Sequence, residues 1–237
     1  MITSLENKTV KELTKLHQKK YREDRFLITN EELVKKAKET GHLLKLIYTG
    51  ELPFPFEDGL EVSEEVLDKI AKKEGLHYIG VSSLVKEKFE PLKRVLILDH
   101  LQDPLNIGRI MEGALHFGFD SLILSEDCAD LYNEKCLQNC YGGIYDLKIC
   151  IGDLSEKIKE LKSRGFKVYA TALRNDTYDL YDVPFSDRMA FVLGNEGSGV
   201  TEEVMRACDG TIKIDMRNID SLNVGMAASI VMYRFRI

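Results

Sequence analysis

No apolar run in this chain approaches the roughly 20 residues that a membrane span needs. The opening MITSLENKTVKELTK is charged from the start and lacks the apolar core of a secretory signal. The five cysteines, Cys128, Cys136, Cys140, Cys150 and Cys208, are odd in number and form no CxxC pair. Cys136 and Cys140 have helical i,i+4 spacing, but no histidine or further cysteine stands close by to complete a metal site. These absences predict a soluble cytoplasmic protein, without metal or membrane, whose cysteines stay reduced in or near the core. Positive charge is also short: the formal net charge is −6. That excludes a protein that coats nucleic acid by bulk electrostatics.

The charge is unevenly spread. Residues 1–50 hold 11 Lys and Arg against 7 Asp and Glu, residues 51–90 hold 5 against 10, and residues 91–237 hold 17 against 22. Any RNA contact is therefore expected to favour the basic stretch KELTKLHQKKYREDR. A solvated helix face is the blander reading of the same run.

The 237 residues, with 44% hydrophobic and 30% charged, suffice for one large or two small domains with a packed core. In residues 1–90, Leu5, Val10, Leu13 and Leu16 form a helical stripe. FLIT, LLKLIYTG and LHYIGV read as strands. TNEELVKKAKETG is a helix capped by Thr29-Asn30, VSEEVLDKIAKKEG a helix from Ser63 to Gly75, and SSLVKEKF a short helix. This predicts a small α/β domain, joined by a linker around Pro91 (KFEPLKR) to a second domain over 91–237. There RVLILD is a buried strand, continuously apolar as parallel sheets require. NIGRIMEGALHFG, SLILSED, YNEKCLQN, LKIC, DLSEKIKELKSRG and KVYATAL continue the alternation of helix and strand. MAFVLG and TIKID are further strands, and the helix SLNVGMAASIVMYRF closes the chain. Such alternation predicts an α/β fold with a parallel sheet covered by helices on both faces.

In open parallel sheets, ligands bind beyond the carboxyl ends of the strands. DPLNIGRIME, GNEGSG and DMRNIDSLN each follow a strand and arrive there. GNEGSG lacks the Lys and Ser/Thr of a Walker loop and the GxGxxG spacing, and Glu196 would repel a pyrophosphate. Its glycines instead let main-chain groups approach a ligand, with Glu196 pinning neighbouring amides. A tight strand–helix turn without a ligand is the competing reading. Ser221 is the predicted N-cap of the last helix, where Gly225, Ala227, Ala228 and Ser229 leave one face nearly flat.

DPLNIG, GNEGSG and IDMRNIDSLNV, in this order and spacing, resemble the three motifs of the SpoU class of SPOUT RNA methyltransferases, a likeness covering residues 92–237. Through KKYREDRFLITNEELVKKA, the first 90 residues resemble that family's substrate-binding domain, which is similar to a small ribosomal protein. The resemblance implies a C-terminal trefoil knot, an exception to the rule that chains are un-knotted. It further implies a homodimer, S-adenosylmethionine as cofactor, and methylation of the ribose 2′-hydroxyl of tRNA or rRNA. It places Gly194, Ile214 and Leu222 at cofactor contacts, with Leu193, Asn195, Glu196, Gly197 and Met216 beside them and Thr171 and Ala172 in the same pocket. Asn106, Glu196, Ser221 and Asn223 match its polar motif residues.

The family's first motif reads N-x-G-x-x-x-R, whereas NIGRIME puts Glu112 at the arginine position. A carboxylate turns a phosphate contact into a repulsion. Gly225 also stands where serine is usual. Arg109 lies one helical turn before Glu112 and shares its face, so Arg109 could take the phosphate and Glu112 the hydroxyl proton. A free glutamate, with a pKa of about 4.3, is a weak base for that task unless burial raises it. Two other readings stand beside this one: a surface ion pair between the two residues, and a non-catalytic RNA-binding relative. The amino-acid sequence names neither the RNA nor the nucleotide.

Overall fold

The computed structural model describes residues 1–174, 177–216 and 222–237. In chain order its elements are α1 (Lys8–Lys15), a 3-10 turn (Lys19–Tyr21), β1 (Arg25–Ile28), α2 (Glu31–Glu39), β2 (Leu43–Tyr48), β3 (Gly59–Glu61), α3 (Glu64–Ala71), β4 (Tyr78–Ser83), β5 (Arg94–Asp99), α4 (Pro104–Phe117) and β6 (Ser121–Leu124). Then follow α5 (Glu134–Asn139), α6 (Gly143–Asp146), β7 (Lys148–Ile151), α7 (Leu154–Ser163), β8 (Lys167–Thr171), β9 (Tyr178–Asp179), β10 (Met189–Gly194), α8 (Glu202–Ala207), β11 (Gly210–Lys213) and α9 (Val224–Arg234). They form two compact units, Met1–Lys86 with Tyr132–Tyr145, and Glu87–Leu131 with Asp146–Ile237. The expected division at residue 90 made no provision for the inserted segment.

In the first unit the sheet runs β1-β4-β2-β3, antiparallel except for the β2/β3 pair. Asn7 and Asn30 cap α1 and α2 by accepting from the amides of Thr9 and Leu33. The stripe of α1 buries Val10 and Leu13 in a core shared with Val66, Ile70 and Ile79. Two expectations fail. The helix begun after Ser63 stops at Ala71, because Lys72 turns left-handed at φ 56 before Gly75 is reached. SSLVKEKF forms no helix: Ser82 and Ser83 extend β4 against Phe26 and Arg25. The Leu84 amide then donates to Asp24 O (2.8 Å) and that of Val85 to Tyr132 Oη (3.1 Å), so the donors a helix would use are taken.

The inserted segment is built into this unit. The Tyr132 ring lies 4.6 Å from that of Phe26, and Tyr145 Oη donates to Ser82 Oγ at 2.8 Å. Burial pushes the Tyr145 phenol upward. Cys136, Leu137, Cys140 and Ile144 are buried.

The second unit holds a parallel sheet in the order β7-β6-β5-β10-β8-β11-β9. β5 and β10 are buried along their whole length, as the continuous apolar runs require. Val95, Ile97, Val168 and Val192 pack with Ile158 and Leu161 of α7. On another side of the sheet, Phe191 stacks on Phe235 at 4.5 Å, and α4 packs against α9. The chain runs outward from β5 to β7, then returns to place β8 beyond β10, so the strand order reverses beside β5 and β10. Burial pushes the thiols of Cys128, Cys140 and Cys150 up, and that of Cys208 to about 12, which disfavours the thiolate. Among the described residues no helix is long and apolar enough to cross a membrane.

Asp120 anchors the start of β5. Its carboxylate accepts from the amides of Leu92, Lys93 and Arg94 and from Ser121 Oγ. Burial alone would raise this carboxyl, but the four donors outweigh it and hold it below the usual range. A depressed folded pKa contributes stability that is present above the unfolded value and lost as pH falls through the folded one. Asp120→Asn is therefore expected to lower stability at pH 7 by about 1 kcal/mol, allowing for partial solvent screening. Urea titrations from pH 7 to pH 3 should show the difference shrinking in acid; a constant difference would contradict the assignment.

Candidate active site

β8, β10 and β11 end side by side, and the segments after them, with the start of α9, line one cleft of about 420 Å³. Thr171, Ala172, Leu193, Gly194, Asn195, Glu196, Gly197, Ile214, Met216 and Leu222 all line it.

The GNEGSG loop is a tight reverse turn. The amide of Asn195 donates to Gly199 O (3.0 Å) and that of Gly199 to Asn195 O (2.9 Å), with Gly199 at φ 73. Asn195 Oδ1 accepts from the amides of Gly197 and Ser198 (2.8 and 3.2 Å), while its Nδ2 donates to His100 O (2.8 Å). Asn195, not Glu196, thus pins the loop amides: its short side chain closes on its own backbone, whereas the longer glutamate reaches away. Glu196 Oε1 accepts from Nδ2 of buried Asn106 on α4 at 2.8 Å. Asn223 Nδ2 donates in turn to Asn106 Oδ1 (3.3 Å), and Asn223 Oδ1 accepts from the amides of Gly225 and Met226. The three motifs are therefore joined by one chain of hydrogen bonds. Asn223, rather than Ser221, caps α9; Ser221 lies outside the described residues. A Cβ added at Gly225 would stand 3.2 Å from Asn223 Oδ1, so serine there would press on this chain.

A second cleft, of about 300 Å³, opens between α4 and α9. Arg109, Glu112, Gly113 and His116 line it from α4, and Asn223, Gly225, Met226 and Ser229 from α9. The shared face expected for Arg109 and Glu112 is present. No ion pair joins these two among the described side chains, so the reading of Arg109–Glu112 as a surface pair has no support. The first turn of α9 and the two residues before it lie between the clefts, with Leu222, Val224 and Ala227 on one and Asn223, Gly225 and Met226 on the other.

Reasoning from motifs missed the support beneath the loop. Buried Asp99 accepts from the Thr201 amide at 2.7 Å and pairs with His100 Nδ1 at 2.5 Å. His100 Nε2 faces Asp127 at 2.7 Å, and its backbone is left-handed at φ 59. The available signal was position: both residues stand at the carboxyl end of a buried parallel strand. Arg174 and Lys213 also line the first cleft, paired with Glu202 (2.8 Å) and Asp215 (3.4 Å).

This cleft suits a nucleoside that carries an amino acid and no phosphate. Leu193, Ile212, Ile214, Met216, Leu222 and Val224 supply apolar walls for a purine. Glu196 and Glu202 can meet a cationic centre, and Arg174 and Lys213 a carboxylate. S-adenosylmethionine has each of these parts. The volume lies within the roughly 300–1,000 Å³ of small-molecule sites.

An open parallel sheet with such a cleft at the carboxyl ends of its strands is the architecture of ligand-binding α/β domains. Residues 93–233 match the model of the SpoU rRNA methylase family. The chain is 32% identical to the 23S rRNA (guanosine(2553)-2′-O)-methyltransferase RlmP of Bacillus subtilis, over 99% of this chain and 98% of that one. Its fold matches an rRNA methyltransferase of Sinorhizobium meliloti solved with S-adenosylmethionine bound (TM-score 0.87, 25% identity, 98% and 95% of the two chains). A TrmH-family structure from Porphyromonas gingivalis is equally similar (TM-score 0.87, 26% identity, 98% of each chain). The chain belongs to the SpoU rRNA methylase family and is an S-adenosylmethionine-dependent RNA methyltransferase. Of the two functional readings, enzyme and non-catalytic binder, these similarities support the enzyme.

Proposed function

We propose that this enzyme methylates a ribose 2′-hydroxyl of ribosomal RNA, with 23S rRNA the first substrate to test. The full-length likeness to the Bacillus subtilis enzyme supports that acceptor. The observation that carries the reading is the pair of clefts that share the first turn of α9, linked through Glu196, Asn106 and Asn223. The first cleft holds the donor through the residues that line it. When bound, S-adenosylmethionine supplies an electrophilic methyl group. The second cleft takes the ribose. Asn106 keeps the donor loop and α9 in register, Arg109 meets the RNA phosphate, and Glu112 stands beside the hydroxyl. Ser221 belongs to this set by motif alone. Most of the rate gain comes from holding the two reactants in line.

The wider family reading is proposed with it. The C-terminal segment is threaded as a trefoil knot; in support, β10 inserts between β5 and β8, and α9 returns to α4. The enzyme is a homodimer through the apolar face formed by Phe117, Tyr181, Phe185, Ile230 and Tyr233, most of them exposed in the single chain. The N-terminal unit binds RNA through its basic stretch, where Lys15 and Lys20 flank the exposed ring of Tyr21. The RNA substrate supports a cytoplasmic site of action.

The test is transfer of labelled methyl to unmodified 23S rRNA, followed by nucleoside digestion. A 2′-O-methylnucleoside is expected; label on a base would refute the assigned acceptor. Arg109→Ala should lower kcat/KM about 10- to 100-fold, the loss of a charged phosphate contact, and leave donor affinity intact. Unchanged transfer with RNA still bound would remove Arg109 from the site.

A further inference from the structure

We infer that His100 is a positioning residue for the methyl donor: from outside the donor cleft it fixes the side chain of Asn195, and through it the GNEGSG loop. The inference rests on the reading of the first cleft as the donor site. Residues 194–199 line that cleft. Asn195 Nδ2 donates to His100 O at 2.8 Å, which turns Oδ1 toward the amides of Gly197 and Ser198. An asparagine side chain has one donor end and one acceptor end. In the flipped orientation it would set an NH2 group against two N–H donors. The His100 carbonyl therefore selects the orientation in which the turn closes.

Three anchors reach the loop from the segment that ends β5 and opens α4. Asp99 Oδ2 accepts from the Thr201 amide (2.7 Å), His100 O accepts from Asn195 (2.8 Å), and Asn106 donates to Glu196 (2.8 Å). The His100 anchor depends on a left-handed backbone, φ 59, which is disfavoured for a residue with a Cβ. The imidazole holds it there. Nδ1 lies 2.5 Å from Asp99 Oδ1, and Nε2 lies 2.7 Å from Asp127 Oδ2. Asp99 is fully buried, with its other oxygen on the Thr201 amide. Asp127 accepts from Ser125 Oγ at 2.7 Å, and Ser125 Oγ accepts from the His100 amide at 2.9 Å. Gln102 Nε2 adds a second bond to His100 O at 3.2 Å. The ring thus spans two anchored carboxylates and keeps its own carbonyl aimed at Asn195.

Holding the loop in place before the donor arrives removes an ordering cost from binding. Alanine at position 100 would lose both ring contacts and leave the left-handed turn unsupported. Asparagine would keep the tolerance for that turn, which Asn, Asp and His share, but not the reach to both carboxylates.

The experiment is a double-mutant cycle in donor affinity. Wild type, Asn195→Ala, His100→Ala and the double variant are each titrated with S-adenosylmethionine by calorimetry. Each single variant should bind about 10-fold more weakly, the loss of one well-placed hydrogen bond. The double variant should be little weaker than Asn195→Ala alone, because His100 acts through that side chain. His100→Asn should regain part of the loss, and it serves in the same cycle if His100→Ala folds poorly. Losses that simply multiply in the double variant would overturn the inference. So would wild-type donor affinity in His100→Ala while Asn195→Ala binds weakly; both results leave the donor cleft standing. Wild-type donor affinity in both single variants would overturn the inference and the reading of the cleft together.

Discussion

Gly194→Ala should abolish donor binding. Gly194 ends β10, and a Cβ added there would stand 2.1 Å from both Gly199 C and Val200 N and 2.4 Å from Gly199 O. These are backbone atoms of the GNEGSG turn, held by the paired Asn195–Gly199 hydrogen bonds and by Asn195 Oδ1. No rotamer change relieves the clash. Either the turn unfolds from the strand end, or β10 shifts against its neighbours. Overpacking costs typically 1–3 kcal/mol even where side chains give way, and more where the backbone must move. The turn is the less anchored partner, because β10 is hydrogen-bonded on both sides. Calorimetric titration with S-adenosylmethionine should show at least a 100-fold loss, about 2.7 kcal/mol. Thermal unfolding should remain cooperative. Binding as tight as in the wild type would mean that GNEGSG does not shape the donor site.

Removal of residues 1–90 alone should yield a poorly folded protein. Sequence patterning treats the two parts of the chain as separable at Pro91. The first unit, however, includes Tyr132–Tyr145, which the chain supplies between β6 and β7. Truncation removes Phe26 from beside Tyr132 and Ser82 from Tyr145, in the unit where Leu137, Ile144, Cys136 and Cys140 are buried. Burial of Leu137 and Ile144 alone is worth about 3–6 kcal/mol, a large share of the 5–15 kcal/mol that holds most domains together. A variant that also replaces 132–145 with a short Gly/Ser linker should stay soluble, unfold cooperatively and bind the donor. The two variants, compared by thermal melting and calorimetry, separate the cases. Equal stability would mean that the segment is indifferent to its partner.

The residues that line the first cleft were legible because their signals are local. Glycines in GNEGSG, an Asx-forming asparagine and continuous apolar strands act within a few residues of themselves. The errors arose where a partner distant in the chain decided the outcome. SSLVKEKF has the composition of a helix, but β1 and Tyr132 take its donors. Glu196 looked like the pin of its own loop, yet it bonds to Asn106, 90 residues away.

The amino-acid sequence by itself therefore determined the class of the fold and the loops that gather at the carboxyl ends of the strands. Each follows from steric and electrostatic preferences expressed between near neighbours. The tertiary structure alone decided that Tyr132–Tyr145 belongs with the first unit, that Asn106 joins Glu196 to Asn223, and that Arg109, Glu112 and His116 face one cleft. Those outcomes depend on which buried polar groups and apolar faces find partners across long stretches of chain, and a buried hydrogen-bonding group left unmatched is too costly for the fold to ignore.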